Sequence, residues 1–398
     1  MSRKLLVLNS GSSSVKYRLF GLSDERVLVS GIIERIGEAP ASPVGADGAS
    51  GFTNHRQAIT EVVHRLRESG ELQEPNELFG IGHRVVHGGE AFSSAVVVDD
   101  AVIEAIRAAI PLAPLHNPPN LLGIEVCREL WPGVPQVAVF DTAFHQSMPP
   151  YAYRYALPKG FYRDDRIRRY GFHGSSFAYV TKRTAAYLGR SLESCNFIVL
   201  HLGNGASAAA IKQGRSVDTS MGMTPLAGLI MGTRCGDIDP GIVLYLMKSG
   251  KYSVSELERL LSTNSGLKGL AGANDMREVL ACAEAGDGDA RLAVEAYCYA
   301  IKKYIGSYLA VLGHVDALVF TGGIGEHAAP IRHKICSGLE SCGITINIPK
   351  NTIEPGGMAE LQAANSRVKI LVVYTDEELE IARQSAEVIE ARGVVSTE

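Results

Sequence analysis

Near its start the chain carries an apolar run, Leu5 to Leu8, then the turn-rich Asn9-Ser10-Gly11-Ser12-Ser13-Ser14, then Val15, Tyr17 and Leu19 alternating with Lys16 and Arg18. An apolar run, a small-residue loop and period-two alternation predict two strands of a hairpin. After a turn at Gly21-Leu22-Ser23-Asp24, Val27 to Ile33 predicts a third strand. The same plan returns about 190 residues later, with strand Phe197 to Leu200, polar turn Gly203-Asn204-Gly205-Ala206-Ser207, strand Ala208 to Lys212 and a further turn at Gln213-Gly214. Two copies of this plan predict two related α/β domains. The 398 residues suit two, since domains hold roughly 100–200 residues. The split is expected near 150, where Met148-Pro149-Pro150-Tyr151 concentrates turn residues.

Other segments fill in the plan. Gln57 to Leu66 has helical spacing, and Ala39 to Thr53, rich in Gly, Pro and Ser, reads as a surface excursion. Val319-Phe320 closes an apolar strand that ends in Thr321-Gly322-Gly323-Ile324-Gly325-Glu326 and leads into a helix-like segment from Ala328. Tandem glycines at such a turn bring bare backbone against a ligand. Glu377 to Glu390 predicts a last helix with Leu379, Ile381, Ala382 and Ile389 on one side.

Hydrophobic residues at 46% and charged residues at 21% are those of an ordinary globular protein. A net charge of -4 provides no basic field for nucleic acid or an anionic membrane, so a bound polyanion must be small. The seven cysteines are scattered without a C-x-x-C pair, which reads as free thiols in a reducing cytosol. After Arg3 and Lys4 only four apolar residues run to Asn9, short of a signal peptide, and no other apolar run spans a bilayer. A cytoplasmic location follows as the expectation.

The Asn9 to Ser14 loop offers backbone N–H groups and hydroxyls, with Lys16 just beyond, and can wrap a phosphate. Alone it reads rather as an ordinary Ser/Gly turn; its second copy at Gly203 to Ser207 favours phosphate binding. Three segments concentrate His, Arg and Gly: Gly82-His83-Arg84-Val85-Val86-His87-Gly88-Gly89-Glu90, Arg168-Arg169-Tyr170-Gly171-Phe172-His173-Gly174-Ser175-Ser176, and Met231-Gly232-Thr233-Arg234-Cys235-Gly236-Asp237-Ile238-Asp239. A guanidinium in such a setting suits a carboxylate or phosphate, although any one of them alone is equally read as a structural ion pair. Pro114-Leu115-His116-Asn117-Pro118-Pro119 pins a histidine between prolines. Val137 to Phe140 delivers Asp141 at a strand end, a position often filled by a cap. No cluster has zinc spacing and no Gly-x-Ser-x-Gly elbow occurs, which weakens hydrolase and zinc-enzyme readings.

Taken together and in order, VLNSGSSSVKY, GHRVVHGGE, PLHNP, VAVFDTAFHQ, RRYGFHGSS, HLGNGAS, DTSMGMTPL, MGTRCGDIDP, TGGIGE and a terminal DEEL resemble the acetate and propionate kinase family of the actin, sugar kinase and heat-shock superfamily. The resemblance spans essentially the whole chain. It implies two duplicated RNase H-like, actin-like ATPase domains with the active site between them: 1–150, joined by the terminal helix 377–398, and 151–376. It puts Asn9 and Glu377 at Mg²⁺ (or Mn²⁺), Lys16 near the nucleotide phosphates, and His201, Leu202, Gly203, Asn204 and Gly205 on phosphates. Asp275, Met276 and Arg277, with Gly323, Ile324, Gly325, Glu326 and His327, would form the adenosine pocket for ATP or ADP. Arg84 would bind the substrate carboxylate, His173 and Arg234 would stabilise the transferring phosphoryl group, and Asp141 is the family's acidic catalytic residue. His116 would help orient the site, while Val86, Leu115, Phe172 and Pro225 would line the methyl pocket.

The chemistry agrees. In-line phosphoryl transfer asks for positioning and for positive charge on the equatorial oxygens. An acetate nucleophile is already ionised at pH 7, so Asp141 is expected chiefly to orient an arginine or a metal-bound water. The expected activity is reversible Mg²⁺-dependent conversion of acetate and ATP into acetyl phosphate and ADP. Propionate is the nearest alternative acceptor, and a nucleotide-gated binding module without phosphotransfer the alternative of another class. A homodimer is implied by the resemblance only. The chain departs from the family pattern at Ser175, Phe177, Cys235, His327 and Asp376. Cys235, beside the Arg234 guanidinium, reads either as a thiol made reactive by that charge or as an inert buried one.

Overall fold

Leu6 and Leu8 pack into one apolar cluster and Leu5 and Val7 into another, so this strand is buried on both faces, as its unbroken apolar run requires. The computed structural model that shows this describes residues 3–37, 51–352 and 356–395. Most of the surface excursion expected at 39–53 lies outside the described residues. The chain divides into two compact units, Met1–Phe144 with Asp376–Glu398, and His145–Thr375.

The first unit holds a six-stranded sheet of β1 (Lys4–Ser10), β2 (Ser14–Gly21), β3 (Arg26–Glu34), β4 (Leu78–Val85), β5 (Val96–Val97) and β6 (Gln136–Phe140), in the order β3-β2-β1-β4-β6-β5. The hairpin strands β1, β2 and β3 are antiparallel, β4 and β6 run parallel to β1, and β5 is antiparallel to β6. The second unit holds β7 (Asn196–Leu202), β8 (Ala206–Lys212), β9 (Arg215–Thr219), β10 (Ala317–Thr321), β11 (Met358–Glu360) and β12 (Lys369–Val373). Its order, β9-β8-β7-β10-β12-β11, repeats the first strand for strand, and the directions repeat too. The duplication inferred from three strands therefore extends to all six.

On one face of the first sheet Ala58, Ile59, Val62 and Leu66, from helix His55–Glu68, join Val126 and Cys127 of helix Asn117–Leu130. Helix Glu377–Val395 covers the other, through Leu379, Ile381, Ala382 and Ile389, the four positions expected on one side. Gly80 and Gly82 admit it: a Cβ there would stand 2.3 Å from the Ile389 Cδ1 and 2.6 Å from the Ser385 Oγ. Two glycines on alternate positions of β4 thus let the last helix lie directly on the strand, which fixes its N-terminal residue, Glu377. Each fully buried Leu or Ile in these layers contributes roughly 1.5–3 kcal/mol.

In such sheets ligands gather at the carboxyl ends of the parallel strands. Those ends carry Asn9, Arg84 and Asp141 in the first unit and His201, Gly322 and Thr375 in the second.

Candidate active site

In the first unit Arg84, near the end of β4, donates from Nε to Oδ1 of Asp141 at 3.0 Å and from Nη2 to Oδ2 at 2.6 Å. Its Nη1 donates to Oδ1 of Asn9 at 3.3 Å. Asp141 follows β6 directly, and its backbone N–H is bonded to the Val85 carbonyl, so both partners are set by adjacent strands. Burial alone would lower the Arg84 pKa, but Asp141, Glu377 and Glu378 outweigh it and raise it, leaving the guanidinium charged at all working pH. Burial, with the charges of Asp141 and Glu378, lifts Glu377 to about 7 against the pull of Arg84 and Lys16. Lys16 is exposed on β2, paired in register with Asn9.

The Asn9 carbonyl oxygen and the Glu377 carboxylate are hard oxygen donors of the kind Mg²⁺ takes, and crowded negative charge at Glu377 is what a cation relieves. Among the described residues no three His, Cys, Asp or Glu side chains are placed to hold a metal. Two oxygen donors of this kind suit an ion such as Mg²⁺, which keeps waters and takes phosphate oxygens beside one or two protein ligands.

In the second unit the β7–β8 turn closes with Gly203 N–H on the Gly205 carbonyl at 3.0 Å. A Cβ built on Gly205 would lie 3.4 Å from His173 Nε2 and 3.6 Å from Arg234 Nη1, so this bare turn brings the two side chains to one place. His173 precedes helix Gly174–Tyr187 with φ 60°, a left-handed conformation, and its Nδ1 lies 2.9 Å from the Ser207 hydroxyl. Its ring stacks on His201 at 4.4 Å. Arg234 bonds only weakly, to the Pro225 carbonyl at 3.3 Å and the Met231 sulfur. No carboxylate pairs with it among the described residues, and burial pulls its pKa down. A half-buried guanidinium without a carboxylate has donors left to receive an anion.

Beside this set lies a cavity of about 540 Å³ lined by Gly203, Asn204, Asp275, Met276, Arg277, Gly323, Ile324 and His327, eight positions expected from the sequence, together with Asn274, Leu280, Ala328 and Pro330. Its volume suits a nucleoside-sized ligand. His201, Leu202, Gly205, Gly325 and Glu326 lie outside this lining. Glu326 faces inward, its Oε1 accepting from the backbone N–H groups of Gly322 at 2.9 Å and Thr375 at 3.0 Å. The glycine turn is also shorter than expected: a helix begins at Gly322, where φ is +74°, and a second at Ala329.

The remaining expected positions divide. Val86 is buried, its N–H held by Oδ1 of Asn120 at 3.0 Å. His116 is half-buried at the start of helix Asn117–Leu130, whereas Leu115 is 68% exposed. In the second unit Phe172 is buried and Pro225 half-buried. Phe177 is fully buried, edge-on to His145. Asp376 caps the last helix at the Leu379 N–H and pairs with Arg18 at 3.1 Å, and His327 meets Tyr374 edge-on. The surroundings of Cys235 favour its inert reading over its reactive one. Its thiol is half-buried, burial raises its pKa, and Sγ donates to the Gly236 carbonyl at 3.2 Å.

Several supporting residues had no role in the sequence reading. Asn117 and Asn120, one helical turn apart on a buried face, hold the backbone of His87 and Val86; Asn120 also donates to the Ser10 carbonyl at 2.6 Å. Ser176 and Ser207 contact the His201 and His173 rings.

The chain matches the model of the acetokinase family over residues 4–383. It is 53% identical over 396 residues to an acetate kinase of a Sulfurovum species, covering 98% of this chain and 99% of that one. The crystal structure of Porphyromonas gingivalis acetate kinase superposes with a TM-score of 0.91 at 41% identity, covering 98% of this chain and all of that one. A propionate kinase from Francisella tularensis superposes with a TM-score of 0.88 at 42% identity, over 96% of this chain and 98% of that one. The duplicated actin-like ATPase fold expected from the sequence is the fold these structures share with this chain.

Proposed function

We propose that this chain, which belongs to the acetokinase family, phosphorylates acetate from ATP, reversibly, giving acetyl phosphate and ADP. As a family member it is a phosphotransferase with a carboxyl acceptor, which removes the non-catalytic binding module from consideration. The observation that carries the reading is Arg234, a half-buried guanidinium without a carboxylate partner among the described residues, standing with His173 around the bare Gly205 turn.

In this reading the carboxylate of acetate is bound by Arg84, which Asp141 holds in a fixed plane, and Val86, Leu115, Phe172 and Pro225 bound its methyl group. His116 helps orient the site. An acetate oxygen forms the new bond to the γ-phosphorus as the bond to the β–γ bridging oxygen breaks, and the electron pair leaves with ADP. His173 and Arg234 stabilise charge on the equatorial oxygens. Lys16 and the His201 to Gly205 turn hold the phosphates, and the cavity at Asp275–Arg277 and Gly323–His327 takes the adenosine. Asn9 and Glu377 would hold Mg²⁺, which when bound neutralises phosphate charge.

Propionate is a second reading, favoured by the likeness to the Francisella protein. Trapping acyl phosphate with hydroxylamine, across a series of short carboxylates, tests both: acetate is expected to give the highest kcat/KM, and a propionate maximum would transfer the assignment.

A homodimer is part of the same proposal. Helix Pro240–Lys248 buries none of its residues, and Leu244 and Tyr245 are 57% and 73% exposed, an apolar face suited to a second copy. Sedimentation velocity tests it. A cytoplasmic location is supported by the seven unpaired cysteines and tested by fractionation. Among the described residues no helix is long and apolar enough to cross a membrane.

A further inference from the structure

We infer that Ser176 and Thr375 are positioning residues that fix the proton of His201 on Nε2, so that this imidazole presents an N–H donor to a nucleotide phosphate. The inference rests on the proposed role of His201 at the phosphates.

The hydroxyl protons around His201 decide its tautomer. The Thr375 Oγ1 donates to the Ser176 Oγ at 2.9 Å, and the Ser176 Oγ lies 2.8 Å from His201 Nδ1. Ser176 is fully buried. A serine hydroxyl has one proton and two acceptor sites. With one acceptor site taken by Thr375, donation to Nδ1 uses the proton. The alternative, Nδ1–H donating to Ser176, would strand the serine proton in a dry place, at a substantial desolvation penalty. A neutral imidazole that accepts at Nδ1 carries its hydrogen on Nε2. That atom is 4.0 Å from a Cβ built on Gly203, a residue of the nucleotide-sized cavity.

Thr375 is itself held. Its N–H donates to Oε1 of Glu326 at 3.0 Å, and the same oxygen accepts the Gly322 N–H at 2.9 Å. Glu326 belongs to helix Gly322–His327, whose Gly323, Ile324 and His327 line that cavity. One carboxylate thus anchors both the helix on the adenosine side and the threonine that begins the relay to His201. Ser176 and Thr375 are 199 residues apart, and the relay joins the ends of β7, β10 and β12.

The test is the nitrogen-15 spectrum of the ring-labelled protein, with the His201 signals assigned by their loss in His201→Gln. The wild type is expected to show His201 neutral, with pyridine-like Nδ1 and protonated Nε2. Ser176→Ala should give a tautomer mixture and raise the KM for ATP about fivefold, the scale of one hydrogen bond, with a smaller effect on kcat. Ser176→Thr should restore both the spectrum and the KM, and Thr375→Val should shift the tautomer ratio in the direction of Ser176→Ala. A wild-type His201 protonated on Nδ1, or a spectrum unchanged in Ser176→Ala and in Thr375→Val, overturns the inference. The spectrum is read without substrate, so its failure is distinct from failure of the kinase reading, which the hydroxylamine trap tests.

Discussion

Asp141 holds Arg84 by two hydrogen bonds, at 3.0 and 2.6 Å, with the carboxylate side chain 1% exposed and the guanidinium 24%. Removing the arginine therefore leaves a buried carboxylate alone and, in the proposed mechanism, takes away the partner of the acetate carboxylate. Arg84→Ala should lower kcat/KM for acetate by roughly 10²-fold or more and destabilise the protein by about 3–5 kcal/mol. In the double variant with Asp141→Ala, much of that stability should return while activity stays low. Urea unfolding beside steady-state kinetics checks both. Normal stability in Arg84→Ala would contradict the pairing.

Arg234 should behave in the opposite way. It is half-buried without a carboxylate, and its pKa is held down by burial, so its charge is a cost to the fold in the absence of an anion. Arg234→Ala is expected to lose roughly 10²-fold or more in kcat/KM with its melting temperature unchanged or raised. A large drop in melting temperature would indicate a structural ion pair instead.

Val86 is buried and its backbone is pinned by Asn120, which would hold it in place as the proposed wall of the methyl pocket. Val86→Ala should shift the ratio of propionate to acetate kcat/KM upward by roughly tenfold or more, since one methylene is worth about 1–3 kcal/mol. An unchanged ratio in paired kinetics would show that another residue bounds the methyl group.

Stability should depend on pH through two buried histidines. His83, 2.8 Å from the Gln136 side-chain oxygen, and His145, 3.0 Å from the Phe172 carbonyl, are each lowered by burial to about 4. Both are neutral in the folded chain, while in the unfolded chain they take up protons below about 6.5. Their contribution is therefore complete above 6.5 and lost as the pH falls toward 4. Each should cost about 2 kcal/mol by pH 5, measured as a fall in urea midpoint from pH 7. His83→Gln, which does not titrate, should flatten the slope; an equally steep slope in that variant would remove His83 from the account.

What could be read in the sequence was what is local. The β1–β2 and β7–β8 hairpins announce themselves by apolar runs and period-two alternation around small-residue turns, and Asp141 by its place after an apolar strand. Burial and long-range pairing were hidden. Arg234 next to Cys235 suggested a reactive thiol, yet desolvation raises that thiol and the guanidinium turns toward Pro225. The glycines after Thr321 suggested a strand-to-helix turn with the helix starting near Ala328, whereas Gly322 at positive φ already starts a helix that Glu326 caps from within. Leu115 sits in a motif but is exposed, and the partnership of Ser176 with Thr375 has no local signature across 199 residues.

In the proposed reaction this chain moves a phosphoryl group from ATP onto the oxygen of a carboxylate. Phosphorus-31 NMR of the purified protein with ATP, Mg²⁺ and acetate measures this most directly. The ATP γ signal should fall as an acyl phosphate signal rises, only with all three present, with the reverse conversion from ADP and acetyl phosphate, and with both slowed roughly 10²-fold or more in Arg234→Ala. Inorganic phosphate released at the same rate without acetate, or no change in the ATP signals, would contradict it.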